Sequence, residues 1–282
     1  ITLAGGLASP VVAQETTSTI RGTVTNAGAP VAGASVEILN TQTGAKTTVV
    51  TEASGGFTAS GLRAGDNYSV TVTASGVGST KVTDIVTVLT QAYELPIDLA
   101  EGVSGSEIVV SASRIKGAGS VSQGPATVLN ADAIASVVST NRDIRDLSRR
   151  DPFARLDDST TTRAISFAGQ NPRYNRFSVD GVAISDSFGL NPDGLPSRRS
   201  PIPLDAIGQF QAKVAPFDIR EGNFQGGSIN IVLRSGTNNW QGSAFFAYSA
   251  DELNGKETKA GPGVPTGKVT LPNYTYKNFG AQ

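Results

Sequence analysis

The chain has 282 residues, a net charge of −1 and no cysteine, histidine or methionine. Without cysteine and histidine it cannot form disulfides, Cys/His zinc sites, thiol nucleophiles or Ser-His-Asp triads, and it lacks the basic block of a nucleic-acid-binding protein. Plentiful glycine, few aromatic residues (6%) and recurrent β-branched runs predict a mostly β protein of about two domains.

The first residues are small and apolar, like the end of a secretory signal peptide. Val11 and Ala13 are suited to signal-peptidase cleavage before Gln14. We interpret residues 1–13 as a signal-peptide remnant, and a disordered apolar N-terminus is the alternative. No apolar run reaches the roughly 18 residues of a transmembrane helix, so any membrane span must be built from strands.

Residues 14–100 contain seven short apolar-polar segments separated by turn residues, which predicts a β-sandwich. Tyr68, Val70 and Val72 alternate with polar residues, as in a half-buried strand. The segments "GTV", "GAPVAGASVEI" and "TEASGGFTASGLRAGDNYSVTVTASG", in this order, resemble a carboxypeptidase-regulatory-like (transthyretin-like) domain. The resemblance implies a non-catalytic folding or interaction module, and a generic immunoglobulin-like adhesion domain is the alternative.

Residues 101–124 are rich in Gly, Ser and Ala and predict a linker, with one apolar island at Ile108–Val110. An exposed strand invites pairing with another chain, so we expect an unpaired β-edge that a partner protein binds by strand addition. The motif "EIVVSA" resembles the TonB box of TonB-dependent outer-membrane transporters. That resemblance implies a partner-binding role for Glu107, Ile108, Val109, Val110, Ser111 and Ala112.

Helical patterns follow from Ala126. Asn130 is a candidate N-cap, and Ile134 lies in the apolar spacing of a helix that starts there. A second helical stretch is predicted over 141–149, with an Arg142/Asp146 pair at i,i+4 and Pro152 beyond its end. We expect the arginines of this stretch to form a solvated face, and binding of an anionic substrate is the alternative for Arg142, Arg145, Arg149 and Arg150.

Strand patterns then return. Asp180-Gly181 between apolar segments predicts a tight hairpin. Gly226 and Gly227 allow close backbone approach before a strand in which Ile229 and Ile231 alternate with polar residues.

The segments from Asn130 onward resemble the plug domain of TonB-dependent receptors. The motifs are "NADAIASVVSTNRDIRDLSRRDP", "SVDGVAI", "PLDAIGQFQ" and "GNFQGGSINIVLRSGT". The resemblance implies an α/β plug domain over 125–238 and, with the N-terminal module, an Oar-like receptor. The run "QFQAKVAPFDIREGN" lacks the Glu-Val-x-(Arg/Lys)-Gly-Pro sequence usual in siderophore and vitamin receptors, which argues against classical iron-chelate uptake.

Residues 239–282 are predicted to be the first strands of an incomplete outer-membrane β-barrel. Trp240, Ala244, Phe246 and Tyr248 fall on one face of a strand, although Phe245 breaks the alternation. The remaining barrel strands would follow Gln282.

The predicted fold class is therefore mostly β with α+β: a transthyretin-like β-sandwich, an α/β plug and the first barrel strands. The predicted function is the N-terminal portion of a TonB-dependent outer-membrane transporter that gates energy-coupled passage of a substrate. The implied partners are the TonB C-terminal domain of an inner-membrane motor, outer-membrane lipid through the barrel, and an unidentified substrate, with the sandwich and TonB box in the periplasm. We expect no nucleic acid and no cofactor.

No catalytic or metal-binding residue is assigned. Ser113 to Lys116 match S-x-x-K, but the companion K-T-G is absent, and the "NPDGLPS" segment lacks the ligands of a calcium loop. A carboxylate-only glycosidase stays formally open. The substrate site is unassigned, with Phe188 to Arg199 as a candidate region. The alternative function is a secreted or cell-surface β-sandwich interaction or adhesion protein, in which Trp240 to Tyr248 would enter a soluble core.

Overall fold

The computed structural model describes most of the chain, namely residues 16–89, 91–99, 107–115, 118–121, 125–139, 142–157, 163–186, 188, 191–197, 199–214, 226–240, 242–262, 266–270 and 272–281. The predicted signal-peptide remnant at 1–13 lies outside these residues. Among the described residues, no helix has both the length and the apolar composition needed to cross a membrane.

The N-terminal part folds as two facing β-sheets, which we call the sandwich (residues 16–99). Its strands are β1 (Thr17–Asn26), β2 (Ala29–Pro30), β3 (Ser35–Asn40), β4 (Lys46–Val50), β5 (Gly56–Arg63), β6 (Asn67–Ala74), β7 (Gly78–Val86) and β8 (Ala92–Asp98). All seven predicted strand segments are present, with the two-residue β2 in addition.

Two further strands come from the predicted linker. They are β9 (Glu107–Ser111) and β10 (Gly119–Val121), and we call residues 107–121 the tether. One five-stranded sheet has the order β4-β3-β6-β7-β9, and the other has the path β10-β8-β1-β2 with β5 also paired to β1. The tether therefore contributes one strand to each sheet.

Alternating apolar residues of the two sheets form one buried core. It includes Ile20, Val36, Val70, Val72 and Leu95, each fully buried. The alternation predicted for β6 is confirmed for Tyr68, Val70 and Val72, but Ser69 is also buried because β6 lies in the middle of its sheet.

A second unit follows, built around a five-stranded sheet of order β11-β16-β17-β14-β15. Its elements are β11 (Ala126–Asn130), α1 (Ala131–Ala135), β12 (Ala154–Leu156), β13 (Ile165–Phe167), β14 (Arg176–Val179), β15 (Val182–Ala183), β16 (Ile207–Lys213) and β17 (Ser228–Leu233), with 3₁₀ turns at Ile144–Arg150, Pro172–Tyr174 and Leu204–Ala206. A separate apolar core that includes Phe167, Phe177 and Phe210 lies beneath this sheet.

Local sequence signals account for several features of the second unit. The Asn130 side chain caps α1 by accepting a hydrogen bond from the Ala133 amide at 2.9 Å. Asp180 and Gly181 have positive φ angles of 45° and 80° and connect β14 to β15 in the predicted hairpin. A side chain at Gly227 would collide with the ring of Phe167, so the predicted close approach is confirmed.

The prediction of a helix over 141–149 is wrong. Its described part contains a 3₁₀ segment at Ile144–Arg150, and Arg142 pairs with Asp205 instead of Asp146.

Strand β17 has the predicted alternation, but its polar residues Ser228 and Asn230 are as buried as Ile229 and Ile231. The face of Ser228 and Asn230 also carries Val232, which packs against Ala64 and Leu89 of the sandwich.

The described part of the chain ends in an antiparallel hairpin of β18 (Ala244–Ala250) and β19 (Thr275–Ala281), which we call the terminal hairpin. A 3₁₀ turn at Asp251–Leu253 follows β18. The strand predicted from Trp240 begins four residues later, at Ala244, and Trp240 itself is in irregular backbone.

The sandwich end that faces the second unit contains a buried polar group, the Tyr68 hydroxyl. It donates a hydrogen bond to the Arg63 carbonyl at 3.0 Å. Burial, and secondly the charge of nearby Asp66, raises the pKa of Tyr68 to about 12 from 10.0. Burial also raises the pKa of Tyr93.

We predict that the sandwich loses stability at alkaline pH. Because Tyr68 holds its proton more tightly in the folded chain, its contribution is complete below pH 10 and is lost as pH rises through about 12. The loss should reach about 2.8 kcal/mol, since the shift is about two pKa units and each unit corresponds to roughly 1.4 kcal/mol. Urea unfolding at a series of pH values measures it. The Tyr68→Phe variant should start less stable but show a reduced slope, and an unchanged slope would contradict the assignment.

Candidate functional site

The residues predicted to bind a partner lie on the outer edge of the sandwich. Strand β9 pairs in parallel with β7, with Glu107 opposite Ser79 and Ser111 opposite Thr83. Strand β9 is the last strand of its sheet, so its other edge carries no neighbouring strand within the described residues. This free edge is the surface to which another strand could be added.

The prediction of an unpaired strand in a loose linker is therefore wrong for residues 107–111. Strand β7 would otherwise leave a row of backbone N–H and C=O groups without partners, and a β-branched segment nearby satisfies them. A pattern of single residues shows that a segment can form a strand. It does not show which strand will be its neighbour.

Side chains at the end of β9 fix this segment to the sandwich. The Ser111 hydroxyl donates to the Asp84 carboxylate at 3.0 Å and lies 3.2 Å from the Ser113 hydroxyl. Ala112 is 2% exposed and belongs to the sandwich core, whereas Val109 is 62% exposed. Ala112 thus anchors the segment, and Val109 points to solvent. For Glu107 and Ile108 the structure describes the backbone and not the side chains.

The tether is held a second time after β9. Strand β10 pairs antiparallel with β8, with Ser120 opposite Tyr93. The next strand, β11, pairs with β16 in the second unit. The chain therefore passes from one sandwich sheet to the other and then directly into the sheet of the second unit.

Two glutamines of β16 connect the second unit to the sandwich, and the sequence reasoning missed them. The Gln209 amide accepts from the Leu89 N–H at 3.0 Å and donates to the Thr87 carbonyl at 3.1 Å. The Gln211 amide donates to the Leu89 carbonyl at 3.4 Å. Both side chains are at most 1% exposed. One feature of the sequence could have identified these two residues: Gln209 and Gln211 alternate with apolar residues in a strand that carries few charges.

Further contacts surround these amides. Ala64, Leu89 and Val232 form a small buried apolar cluster between the two units. Arg63 donates to the Leu233 carbonyl at 3.0 Å, and the Asn238 side chain donates to the Thr43 carbonyl at 2.7 Å. The interface thus combines apolar burial with directional hydrogen bonds, which fixes the orientation of the sandwich on the second unit.

Arg145, predicted to lie on a solvated face, is buried at 1% exposure. Its guanidinium donates to the Asp193 carboxylate through Nε at 2.9 Å and to Asp143 through Nη1 at 3.0 Å. The Ser197 carbonyl accepts from Nη2 at 3.0 Å. The two carboxylates stabilise the charge in the interior, and they hold the loop around Asp193 against the 3₁₀ segment. Asp193 lies in the loop that was compared with a calcium site, and its carboxylate is bound by Arg145.

The terminal hairpin has two unlike faces. Phe246 lies directly opposite Phe279, and these rings are 69% and 74% exposed. Trp240 and Tyr248 are exposed as well. Phe245 points to the other face, where the Arg142 guanidinium lies 3.9 Å from its ring centroid. The residue that broke the predicted alternation is therefore the one that contacts the second unit.

No group of three potential metal-binding side chains occurs among the residues that the structure describes. Ser113 and Arg114 are in a 3₁₀ turn, and the described contact of the Ser113 hydroxyl is with Ser111. These observations assign no catalytic or metal-binding role to the tether.

Part of the chain is similar to known proteins. Residues 19–100 match the model of the carboxypeptidase regulatory-like domain. The sandwich is therefore similar to that family of domains. The TonB-dependent transporter Oar of Myxococcus xanthus is 30% identical over 120 residues, which is 42% of this chain and 10% of the relative. The predicted resemblance to an Oar-like transporter is confirmed at this level of similarity, and the match spans a tenth of that protein.

Two solved structures are also similar over part of the chain. The outer membrane transporter YddB of Escherichia coli has a TM-score of 0.43 and 16% identity, covering 55% of this chain and 23% of YddB. A ferric enterobactin receptor of Pseudomonas aeruginosa, in complex with enterobactin, has a TM-score of 0.38 and 20% identity, covering 47% of this chain and 20% of the receptor.

We predict that Gln209→Ala loosens the sandwich from the second unit. The change leaves the Leu89 N–H without its partner, which should cost about 1–3 kcal/mol, whereas the Thr87 carbonyl keeps its hydrogen bond from the Gly65 N–H. Amide hydrogen exchange should show faster exchange at Leu89, with the sandwich core unchanged. Gln170→Ala, at an exposed turn position, is the matched control. Unaltered exchange at Leu89 would mean that the amide contributes nothing to docking.

Proposed function

We propose that the chain is the N-terminal portion of a TonB-dependent outer-membrane transporter and gates energy-coupled passage of a substrate through a β-barrel. The observation that carries the proposal is the position of β9. It is an edge strand of the sandwich with one free edge, and it belongs to the tether that connects the sandwich to the second unit. The similarity to the Oar transporter supports it.

The proposed partner-binding segment is the TonB box at Glu107, Ile108, Val109, Val110, Ser111 and Ala112. The TonB C-terminal domain would add a strand to the free edge of β9, so that main-chain hydrogen bonds give the affinity. Ala112 is buried and acts as the fixed end, while Val109 is available to the partner.

The location follows from the energy supply. An outer membrane has neither ATP nor an ion gradient, so work must arrive from an inner-membrane motor through a mechanical connection. The sandwich and the TonB box would therefore lie in the periplasm. A pull on β9 reaches the second unit through β10 and β11 and through the Gln209 and Gln211 contacts.

The proposed organisation has five parts. They are a signal-peptide remnant (1–13), a carboxypeptidase-regulatory-like sandwich (14–100), a segment with the TonB box (101–124), a plug domain (125–238) and the first barrel strands (239–282). The exposed Phe246–Phe279 pair would then face lipid, and the face with Phe245 would contact the plug.

The alternative is a secreted or cell-surface interaction protein. It requires Trp240 to Tyr248 to enter a soluble core. Trp240 is fully exposed and Phe246 is 69% exposed, which favours the transporter. An enzyme is disfavoured because the chain has no histidine or cysteine and no acid/base constellation was found in its sequence.

We predict that Val109→Pro abolishes partner binding by the TonB box. A peptide of residues 104–116 is titrated against the TonB C-terminal domain, and binding is measured by isothermal titration calorimetry. Proline removes a backbone donor and disrupts strand pairing, so the dissociation constant should rise at least about tenfold.

The matched control is Val109→Thr, which keeps the N–H and the β-branched shape and should bind like the parent. If the proline peptide binds equally well, strand addition is not the mode of recognition.

We also predict that the terminal hairpin binds an apolar phase. Trp240 is the single tryptophan and is solvent-exposed, so its fluorescence reports on this region. Non-ionic detergent micelles should shift its emission to shorter wavelength, and Phe246→Asp should diminish the shift because a charge opposes lipid contact. Val138→Asp is the control, since Val138 is 92% exposed in the second unit. A shift that is equal in both variants would argue against a lipid-facing hairpin.

A further inference from the structure

A cavity of about 570 Å³ lies between the second unit and the terminal hairpin. This volume is in the range of small-molecule sites. The side chains that matter for its chemistry are Arg142, Arg163, Arg199, Phe245 and Tyr276.

Three arginine side chains line the cavity, Arg142, Arg163 and Arg199, and Asp143 is the carboxylate among the lining residues. That carboxylate already accepts from the buried Arg145 at 3.0 Å. Its charge is therefore engaged on the far side and does not occupy the arginines of the cavity.

The cations differ in how they are held. Arg142 pairs with Asp205 and Arg163 pairs with Asp146, which fixes both guanidinium groups in place. A guanidinium group has five N–H donors, so an anion in the cavity can accept hydrogen bonds from those that the pairing carboxylate does not occupy.

Arg199 adds charge that is not neutralised. It has no ion-pair partner in the part of the chain that the structure describes. Lys277 lies on β19 directly opposite Tyr248, so its side chain is on the exposed face of the hairpin that carries Phe246 and not on the cavity face. The unneutralised positive charge of the cavity therefore comes from Arg199, in the second unit.

Aromatic rings complete the site. The Phe245 ring stacks on the Arg142 guanidinium at 3.9 Å, which restrains the plane of that group. Tyr276 lies on the neighbouring strand of the hairpin. A fixed guanidinium plane beside aromatic surface suits a ligand that has both an anionic group and a flat apolar body.

We propose that this cavity binds a small organic anion, in which a carboxylate or phosphate group is attached to a flat apolar body. The anionic group pairs with the arginine donors, since guanidinium groups bind these oxygens through parallel hydrogen bonds. The proposal rests on the cavity alone and does not depend on the transport role.

The test uses the full 282-residue chain and two probes of equal shape. Isophthalate carries two carboxylates, and isophthalamide replaces them with neutral amides. Calorimetric titration should show binding of isophthalate that weakens with added salt, and no binding of the diamide. Absence of isophthalate binding at millimolar concentration, or equal binding of both probes, would overturn the proposal.

Substitutions then place the binding in the cavity. Arg199→Gln removes a charge without breaking an ion pair, so the fold should be kept, as circular dichroism can verify. It should weaken isophthalate binding about tenfold. The matched controls are Lys277→Gln, whose side chain is on the other face of the hairpin, and Arg150→Gln, at an exposed position outside the cavity. Both should bind like the parent. Equal weakening in all three variants would indicate non-specific charge attraction, and no weakening by Arg199→Gln would place the anion elsewhere.

Discussion

Pairing of the open edge of β7 is the constraint on which the arrangement of the chain depends. A sheet edge left bare exposes a row of donors and acceptors and promotes association with other chains. Here residues 107–111 cover that edge, and the buried Ala112 prevents the strand from sliding. The consequence is that the open edge is moved outward by one strand instead of being removed. The new edge belongs to the tether, which connects the two folded units.

The second constraint is the directional contact between β16 and the sandwich. Apolar burial alone tolerates rotation, whereas an amide such as Gln209, bonded at both its oxygen and its nitrogen, accepts one orientation only. The sandwich is thus fixed on the second unit at the same sheet to which β11 is paired. The covalent connection through β11 and the hydrogen bonds of the glutamines therefore lead to the same strand, β16. A displacement of the tether would act on that strand and through it on the rest of the sheet.

Features determined by neighbouring residues could be predicted from the sequence. The Asn130 cap, the Asp180-Gly181 turn and the sandwich strands all follow from a few adjacent positions. Features that depend on distant partners could not. The Arg145 side chain finds Asp193, 48 residues away, and Gln209 finds Leu89, 120 residues away. A charged residue in a short helical pattern suggests a solvated face until its partners are known, and the same holds for a strand without a visible neighbour.

The terminal hairpin shows how one exception to a pattern can carry information. Strict alternation would have placed a small or polar residue at 245, and the ring there is accommodated because Gly280 lies opposite it. A side chain at Gly280 would lie 2.7 Å from the Phe245 ring, so the pair is a large residue matched with the smallest. Through this ring the hairpin contacts Arg142, and the aromatic residues on its other face stay uncovered. Contact on one face and apolar exposure on the other distinguish a strand that encloses a domain from one that belongs to its core.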